Sequence, residues 1–361
     1  FDVISAGSLL GVLGYGEEKK KEKHIQQDGL KLGKNSVPVG YEDIVEMYPL
    51  DFEEFLWANG LSEQVIDYLK DCLKKESPVS LGIHVALKDL LNRYVAVGGL
   101  PAAVNKLLET KNLSTVNAVL RTILKEYKDD MVKYARDDDK PYIRGCFDSI
   151  TKQLAKDYKK FQYNLIKKDG RAEEYVGSLQ WLEDAGMIRR CYNTAATGLP
   201  IEGNAIESVF KVYMTDIGLL VTMLGGSTRS DILQGNLGGF KGAIYENLMA
   251  DTLHKKGHSL YYYRKESGME LDFLISYKGE CVPVEVKAKT AKAKSLSTAL
   301  KHPDNYHIFH AIKFGDYNVG REGQLLTLPN DMQFLLDLEP EEIVLEPINV
   351  DAVNALAKNI I

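Results

Sequence analysis

Glu270-Leu-Asp-Phe-Leu-Ile-Ser276, Tyr277-Lys-Gly-Glu280 and Cys281-Val-Pro-Val-Glu-Val-Lys287 run without a break, and the reading of this stretch decides the fold. Two apolar-rich segments around Lys278-Gly279 predict a β-hairpin. With Lys278-Gly279 as a two-residue turn, Leu271 faces Val286, Phe273 faces Val284 and Ile275 faces Val282, so one face is wholly apolar. The same register sets Glu270 opposite Lys287 and Asp272 opposite Glu285, with facing Cβ atoms roughly 4.5–5.5 Å apart. Like charges facing each other across a sheet are destabilising, so the acidic pair asks for a cation, a shared proton or a nearby base. Mg²⁺ or Mn²⁺ answers that need, because hard divalent ions take carboxylate oxygens, keep waters and accept a substrate phosphate. Lys287 lies two residues beyond Glu285 on the same face, placed to hold a phosphate or orient an attacking water. The chemistry expected of Asp272, Glu285 and Lys287 is metal-assisted phosphodiester hydrolysis. The plainer reading of the same residues is a half-buried hairpin whose solvent face carries two acids neutralised by Lys287.

Working outward, residues 242–256 predict a helix with an apolar stripe of Ile244, Tyr245, Leu248, Met249 and Leu253. Glu246 falls at the margin of that stripe and is the third candidate metal ligand, beside Asp272 and Glu285. Further upstream, Ile150, Leu154, Tyr158 and Leu165 mark one amphipathic helix, and Tyr175, Leu179 and Leu182 mark another. Strand-like residues 187–192 and 209–214 follow, giving the order of a winged helix-turn-helix. Residues 150–190 hold nine basic and six acidic side chains. Lys156, Lys159, Lys160, Lys167 and Lys168 are therefore the candidate phosphate contacts for DNA, against the alternative of a solvated charged face.

The N-terminal third predicts mainly helices, over residues 62–75, 83–97 and 113–134, with Asp51 and Glu54 spaced as a capping box. Residues 11–35 have little periodicity. The segment from Gly29 to Asn35 has one residue too few between its glycines for a phosphate loop, and Asn stands where Ser or Thr is required. The chain of 361 residues is 45% hydrophobic and 27% charged, with Lys+Arg 45 against Asp+Glu 51. That excludes a disordered or polybasic protein and confines any nucleic-acid contact to a local face. Cys72, Cys146, Cys191 and Cys281 form no CxxC pair, as expected of free thiols in a cytoplasmic protein without a membrane segment. The opening residues read as a buried strand ending at Ala6-Gly7-Ser8, which implies that further sequence precedes residue 1.

Five stretches carry a resemblance: Tyr48-Pro-Leu-Asp-Phe-Glu-Glu-Phe55, Gly98-Gly-Leu-Pro101, Trp181-Leu-Glu-Asp-Ala-Gly186, Lys211-Val-Tyr-Met-Thr-Asp216, and Gly242-Ala-Ile-Tyr-Glu246 with the hairpin. Their series resembles a prokaryotic AAA-type ATPase family that carries a winged helix and a C-terminal PD-(D/E)XK nuclease-like domain of unknown function. The resemblance implies a multidomain α/β and α+β chain. A remnant of the AAA core would span residues 1–60, a helical lid-like region 61–140, a winged helix-turn-helix 141–230, and a PD-(D/E)XK restriction-endonuclease-like α/β domain 235–338. Residues 339–361 form a tail without an assigned role. It also implies that the family's acidic positions fall on Glu246, Asp272 and Glu285, its basic position on Lys287, and an ATP sensor position on Ser8. ATP is expected only with the N-terminal core, whose Walker motifs are absent here. DNA is the expected partner, and a protein partner or an oligomer through the AAA region is compatible with the pattern. The competing function is a non-catalytic DNA- or protein-binding module with an inactive nuclease fold.

Overall fold

The computed structural model describes residues 45–235, 240–288 and 292–336. The strand expected over residues 1–5, Ser8, the 11–35 stretch and the 339–361 tail lie outside the described residues.

The first third is helical: α1 (Phe52–Ala58), α2 (Glu63–Lys74), α3 (Leu81–Val97), α4 (Pro101–Thr110) and α5 (Leu113–Tyr134). The capping box forms as expected, with the Glu54 N–H donating to Asp51 Oδ1 at 2.8 Å and the Asp51 N–H donating to Glu54 Oε2 at 2.9 Å. It starts α1 so that Phe52, Phe55 and Leu56 are buried.

Next come α6 (Lys140–Leu154), α7 (Ala172–Asp184), β1 (Ile188–Thr194), β2 (Ala205–Met214), α8 (Ile217–Leu224) and α9 (Thr228–Leu233). The helix expected from Ile150 through Leu165 ends at Leu154 instead. The buried Gln153 amide explains the turn: its Nε2 donates to the Gln162 carbonyl and its Oε1 accepts from the Gln162 N–H, both at 2.9 Å. Residues 155–162 therefore return as an irregular segment, and Tyr163–Leu165 form only a 3-10 turn.

The C-terminal part runs α10 (Lys241–Lys255), β3 (Tyr261–Arg264), β4 (Glu270–Tyr277), β5 (Glu280–Val286), α11 (Lys294–Lys301), α12 (Pro303–Tyr306), β6 (Ala311–Gly315), β7 (Gly320–Glu322) and β8 (Leu325–Pro329). One mixed sheet takes the order β2-β1-β3-β4-β5-β6-β8-β7. The hairpin β1–β2, expected as the wing of a winged helix-turn-helix, extends this sheet through parallel pairing of Tyr192–Thr194 with Tyr261–Tyr263. β3, β4 and β5 are antiparallel neighbours, whereas β5, β6 and β8 are parallel, with α11–α12 crossing from β5 to β6 and β7 lying between β6 and β8 in the chain. α10 packs on β2 and β5, and α11 on β4. α10 is buried from Ala243 to Leu253, so its amphipathic stripe is far wider than a surface helix requires.

Two glycine motifs lock the helical part to this sheet. Gly98, at φ 79°, and Gly99 follow α3, and the Gly99 N–H donates to Asp216 Oδ2 at 2.8 Å. The other Asp216 oxygen caps α8, accepting from the Leu219 N–H at 2.8 Å. A Cβ on Gly218 would lie 2.1 Å from the Val97 carbonyl oxygen, and one on Gly99 would lie 1.9 Å from that of Leu50. Backbone approaches backbone here, so no side chain can swing aside. No described helix is long and apolar enough to cross a membrane.

The Gly218→Ala variant should be destabilised by ~2–3 kcal/mol through overpacking against rigid backbone. Chemical denaturation checks this, and an unchanged midpoint would show that α3 and α8 separate freely.

Candidate functional site

The hairpin turn sets the site. Lys278 at φ 51° and Gly279 at φ 74° both take positive φ, the requirement of a type I′ turn. The ladder accordingly pairs Phe273 with Val284, Ile275 with Val282 and Tyr277 with Glu280, the register read from the sequence.

Beyond Phe273 the register departs from expectation. On its other edge β4 pairs Leu274 with Tyr261 but Leu271 with Tyr263, so β4 carries one extra residue. Such a bulge turns side chains to new directions. Leu271 packs with Leu274, Leu296 and Ala299 on the α11 side, not with Phe273 and Ile275. The Val286 N–H is bonded to Asp272 Oδ2 at 3.0 Å. The carboxylate thus supplies an acceptor to the strand facing it, and the Leu271–Val286 pairing expected from the turn is replaced. Glu270 does not face Lys287 either: it is engaged by Arg264 at 2.5 Å and by Lys211 at 2.7 Å.

Asp272 and Glu285 are both buried, at 8% and 4% exposure, so neither lies on a solvent face. Lys287 bridges them, with Nζ 2.5 Å from Glu285 Oε1 and 3.4 Å from Asp272 Oδ2. Glu246, on α10, is buried and receives three groups: Lys159 Nζ at 2.7 Å, the Tyr213 hydroxyl at 3.3 Å and Lys211 Nζ at 3.9 Å. Glu285 Oε2 is buried without a hydrogen-bond partner.

Electrostatics follow from this crowding. Burial, then the nearby Glu246 charge, pushes the Asp272 carboxyl up. Burial, then Asp272, pushes Glu285 up, with Lys287 opposing. Burial works against a charged Lys287, yet Asp272 and Glu285 outweigh it and hold the ammonium protonated. Glu270 is likewise pushed up by burial but held below its ordinary range by Lys211 and Arg264.

Lys159 was read as a DNA phosphate contact. It is instead turned inward on Glu246, while Lys156, Lys167 and Lys168 are exposed and Lys160 is half-buried. Arg189 and Arg190, counted with the same basic face, are bonded to His254 and to Glu183. Sequence reasoning missed Lys211 and Tyr213, which β2 brings to the acids. The signal was a lysine inside the apolar run Val209-Phe210-Lys211-Val212-Tyr213-Met214. Lys211 has no exposure at all and stands 4.6 Å from the Tyr262 ring centroid. Burial opposes its charge, and Glu246 and Glu270 overcome that opposition.

No group of three His, Cys, Asp or Glu side chains among the described residues is arrayed for a metal ion. The donor chemistry nevertheless fits a hard divalent cation. Two carboxylates meet at the end of the hairpin, and Glu285 keeps an unpartnered buried oxygen. Ions such as Mg²⁺ are commonly held by one or two carboxylates, completed by water and phosphate.

Residues 88–230 match the model of a domain of unknown function, DUF8612, and residues 241–330 match that of another, DUF4143. The second is a domain often found in AAA-ATPase-associated proteins. No curated protein and no solved structure matches the chain. The boundary between the matches divides the site: Lys159, Lys211 and Tyr213 lie in the first, and all four carboxylates lie in the second.

Two outcomes are expected. Lys211→Met should cost ~3–5 kcal/mol, because it strands buried carboxylates without their cation; equal stability in urea would mean that Arg264 alone satisfies Glu270. Glu285 has a folded pKa above its ordinary 4.5, so its contribution to stability is complete below that value and is lost as pH rises through the raised one. In metal-free buffer Glu285→Gln should therefore gain on the parent protein by ~1–3 kcal/mol between pH 5 and pH 8, measured by denaturation at both values. A gain independent of pH would contradict the shift.

Proposed function

We propose that the end of the β4–β5 hairpin is a metal-assisted phosphodiester hydrolysis site acting on nucleic acid. The observation that carries the reading is the convergence of Asp272, Glu285 and Lys287, with Lys287 within 3.4 Å of both acids and Glu285 Oε2 left unpartnered. Asp272 and Glu285 are the residues to hold Mg²⁺ or Mn²⁺, with Glu246 the third carboxylate at hand. Bound there, the ion supplies Lewis-acid polarisation of the phosphodiester and activation of water. Lys287 is held protonated by its two acidic neighbours, so it serves as a fixed cation for a phosphate oxygen and not as a base. DNA is the substrate class best supported by the exposed Lys156, Lys167 and Lys168, with Lys160 beside them. The DUF4143 match supports association with an AAA-type ATPase, to which ATP binding belongs in this reading.

A second reading is favoured by the closed state of the cluster, where Glu246 and Glu270 already have lysine partners. In it the fold binds nucleic acid or a protein and performs no hydrolysis.

Calorimetric titration of Mn²⁺ tests the first reading without a guess at substrate sequence. Binding in the parent protein should fall at least ~100-fold in both Asp272→Asn and Glu285→Ala, since each removes a charged ligand from a two-carboxylate site. Parent and variants binding alike, or none binding, would leave the non-catalytic module as the function.

A further inference from the structure

Glu246 Oε1 lies 2.7 Å from the Lys159 ammonium, in a contact where the two side chains keep only 14% and 10% exposure. A divalent ion ligated by that oxygen would sit about 2.0–2.6 Å away, beside a second positive charge in a nearly closed pocket, so ammonium and metal compete for it. Lys159 is delivered by the irregular segment 155–162, which is fastened at its rear. Phe161 is buried and stacked on Phe210, and its N–H donates to the Phe210 carbonyl at 2.8 Å. Gln153 holds Gln162 from the end of α6. The forward half is held by charge: Arg264 lies 3.7 Å over the Tyr158 ring centroid, and Lys159 meets Glu246. Lys156 and Asp157 in the same half are exposed, and Lys160 is partly so.

We propose that Lys159 is an internal cation which closes Glu246 in the metal-free protein, and that a polyanionic nucleic-acid backbone releases it. The inference rests on the hydrolytic reading of the site. Phosphates offer Lys156, Lys159 and Lys160 alternative partners, and a Lys159 drawn outward leaves Glu246 as the third carboxylate for the ion. Metal and nucleic acid then bind cooperatively, each strengthening the other by the same factor. Glu246 is coupled by charge to Asp272, and Asp272 to Glu285, so a Glu246 relieved of Lys159 belongs to the same acidic cluster.

The test uses the full chain and Mn²⁺ alone as the first probe, by calorimetry, with Lys159→Met, Lys159→Gln, Lys159→Arg and Asp272→Asn. The Met and Gln variants should bind Mn²⁺ about tenfold more tightly than the parent, within the usual range of coupling, and the Arg variant, which keeps the ion pair, should match the parent. Circular dichroism shows whether each variant is folded, and two neutral replacements keep the test open if one is not. The second probe is a fluorescent, hydrolysis-resistant phosphorothioate duplex followed by anisotropy. Mn²⁺ should tighten its binding to the parent several-fold and have a smaller effect on Lys159→Met. Parent-like Mn²⁺ affinity in both neutral variants, with loss in Asp272→Asn, would overturn the latch while leaving the metal site standing. No Mn²⁺ binding in any variant would overturn the metal site and the latch with it.

Discussion

A fully buried ammonium must be matched by buried negative charge, and Lys211 imposes that constraint on the whole sheet. Its partners come from β4, through Glu270 at 2.7 Å, and from α10, through Glu246 at 3.9 Å. Leaving either side without the other would strand a charge in a dry interior, at several kcal/mol. β2 therefore has to approach both elements. The wing-like hairpin achieves this by joining the sheet edge through β1 and β3. The Asp216 bracket between Gly99 and α8 fixes the chain directly after β2, so the end of the strand that carries Lys211 is anchored as well.

That arrangement gives the acidic site its character. Four carboxylates, Glu246, Glu270, Asp272 and Glu285, meet four cations, Lys159, Lys211, Arg264 and Lys287. Two of the cations, Lys211 and Arg264, serve Glu270 and belong to the architecture. Lys287 bridges Asp272 and Glu285, and Lys159 arrives on a segment without regular structure. Charge compensation is thus divided between partners held in strands and one, Lys159, carried by a loop, and the proposed opening of the site for a metal and a phosphate rests on that division.

Much of this was legible in the sequence wherever local rules decide. Lys278-Gly279 fixed the hairpin register because two consecutive positive φ angles match the twist of the strands, and Asp51 with Glu54 announced α1 because both ends of a capping box are written three residues apart. The same register put Asp272 opposite Glu285; the ladder ends one pair earlier, at Phe273–Val284, and the two acids meet through Lys287. What was not legible depends on contacts between distant segments. The β4 bulge arises from pairing with β3, so the side taken by Leu271 and the replacement of the Glu270–Lys287 pair by Arg264 and Lys211 could not be read from the hairpin alone. The end of α6 depends on Gln153 finding Gln162, and Lys159 read as a solvated phosphate contact because its partner lies 87 residues away. The joining of β1 to β3 pairs strands that the domain reading had kept apart.

The central claim is that Asp272 and Glu285 form a divalent-metal site beneath Lys287. Anomalous diffraction from a crystal of the full chain soaked in Mn²⁺ tests it most directly. The account predicts a peak within coordination distance of Asp272 and the free Glu285 Oε2. A map with no such peak, in a crystal whose other surface sites take up manganese and whose Lys287 still bridges both acids, would contradict it.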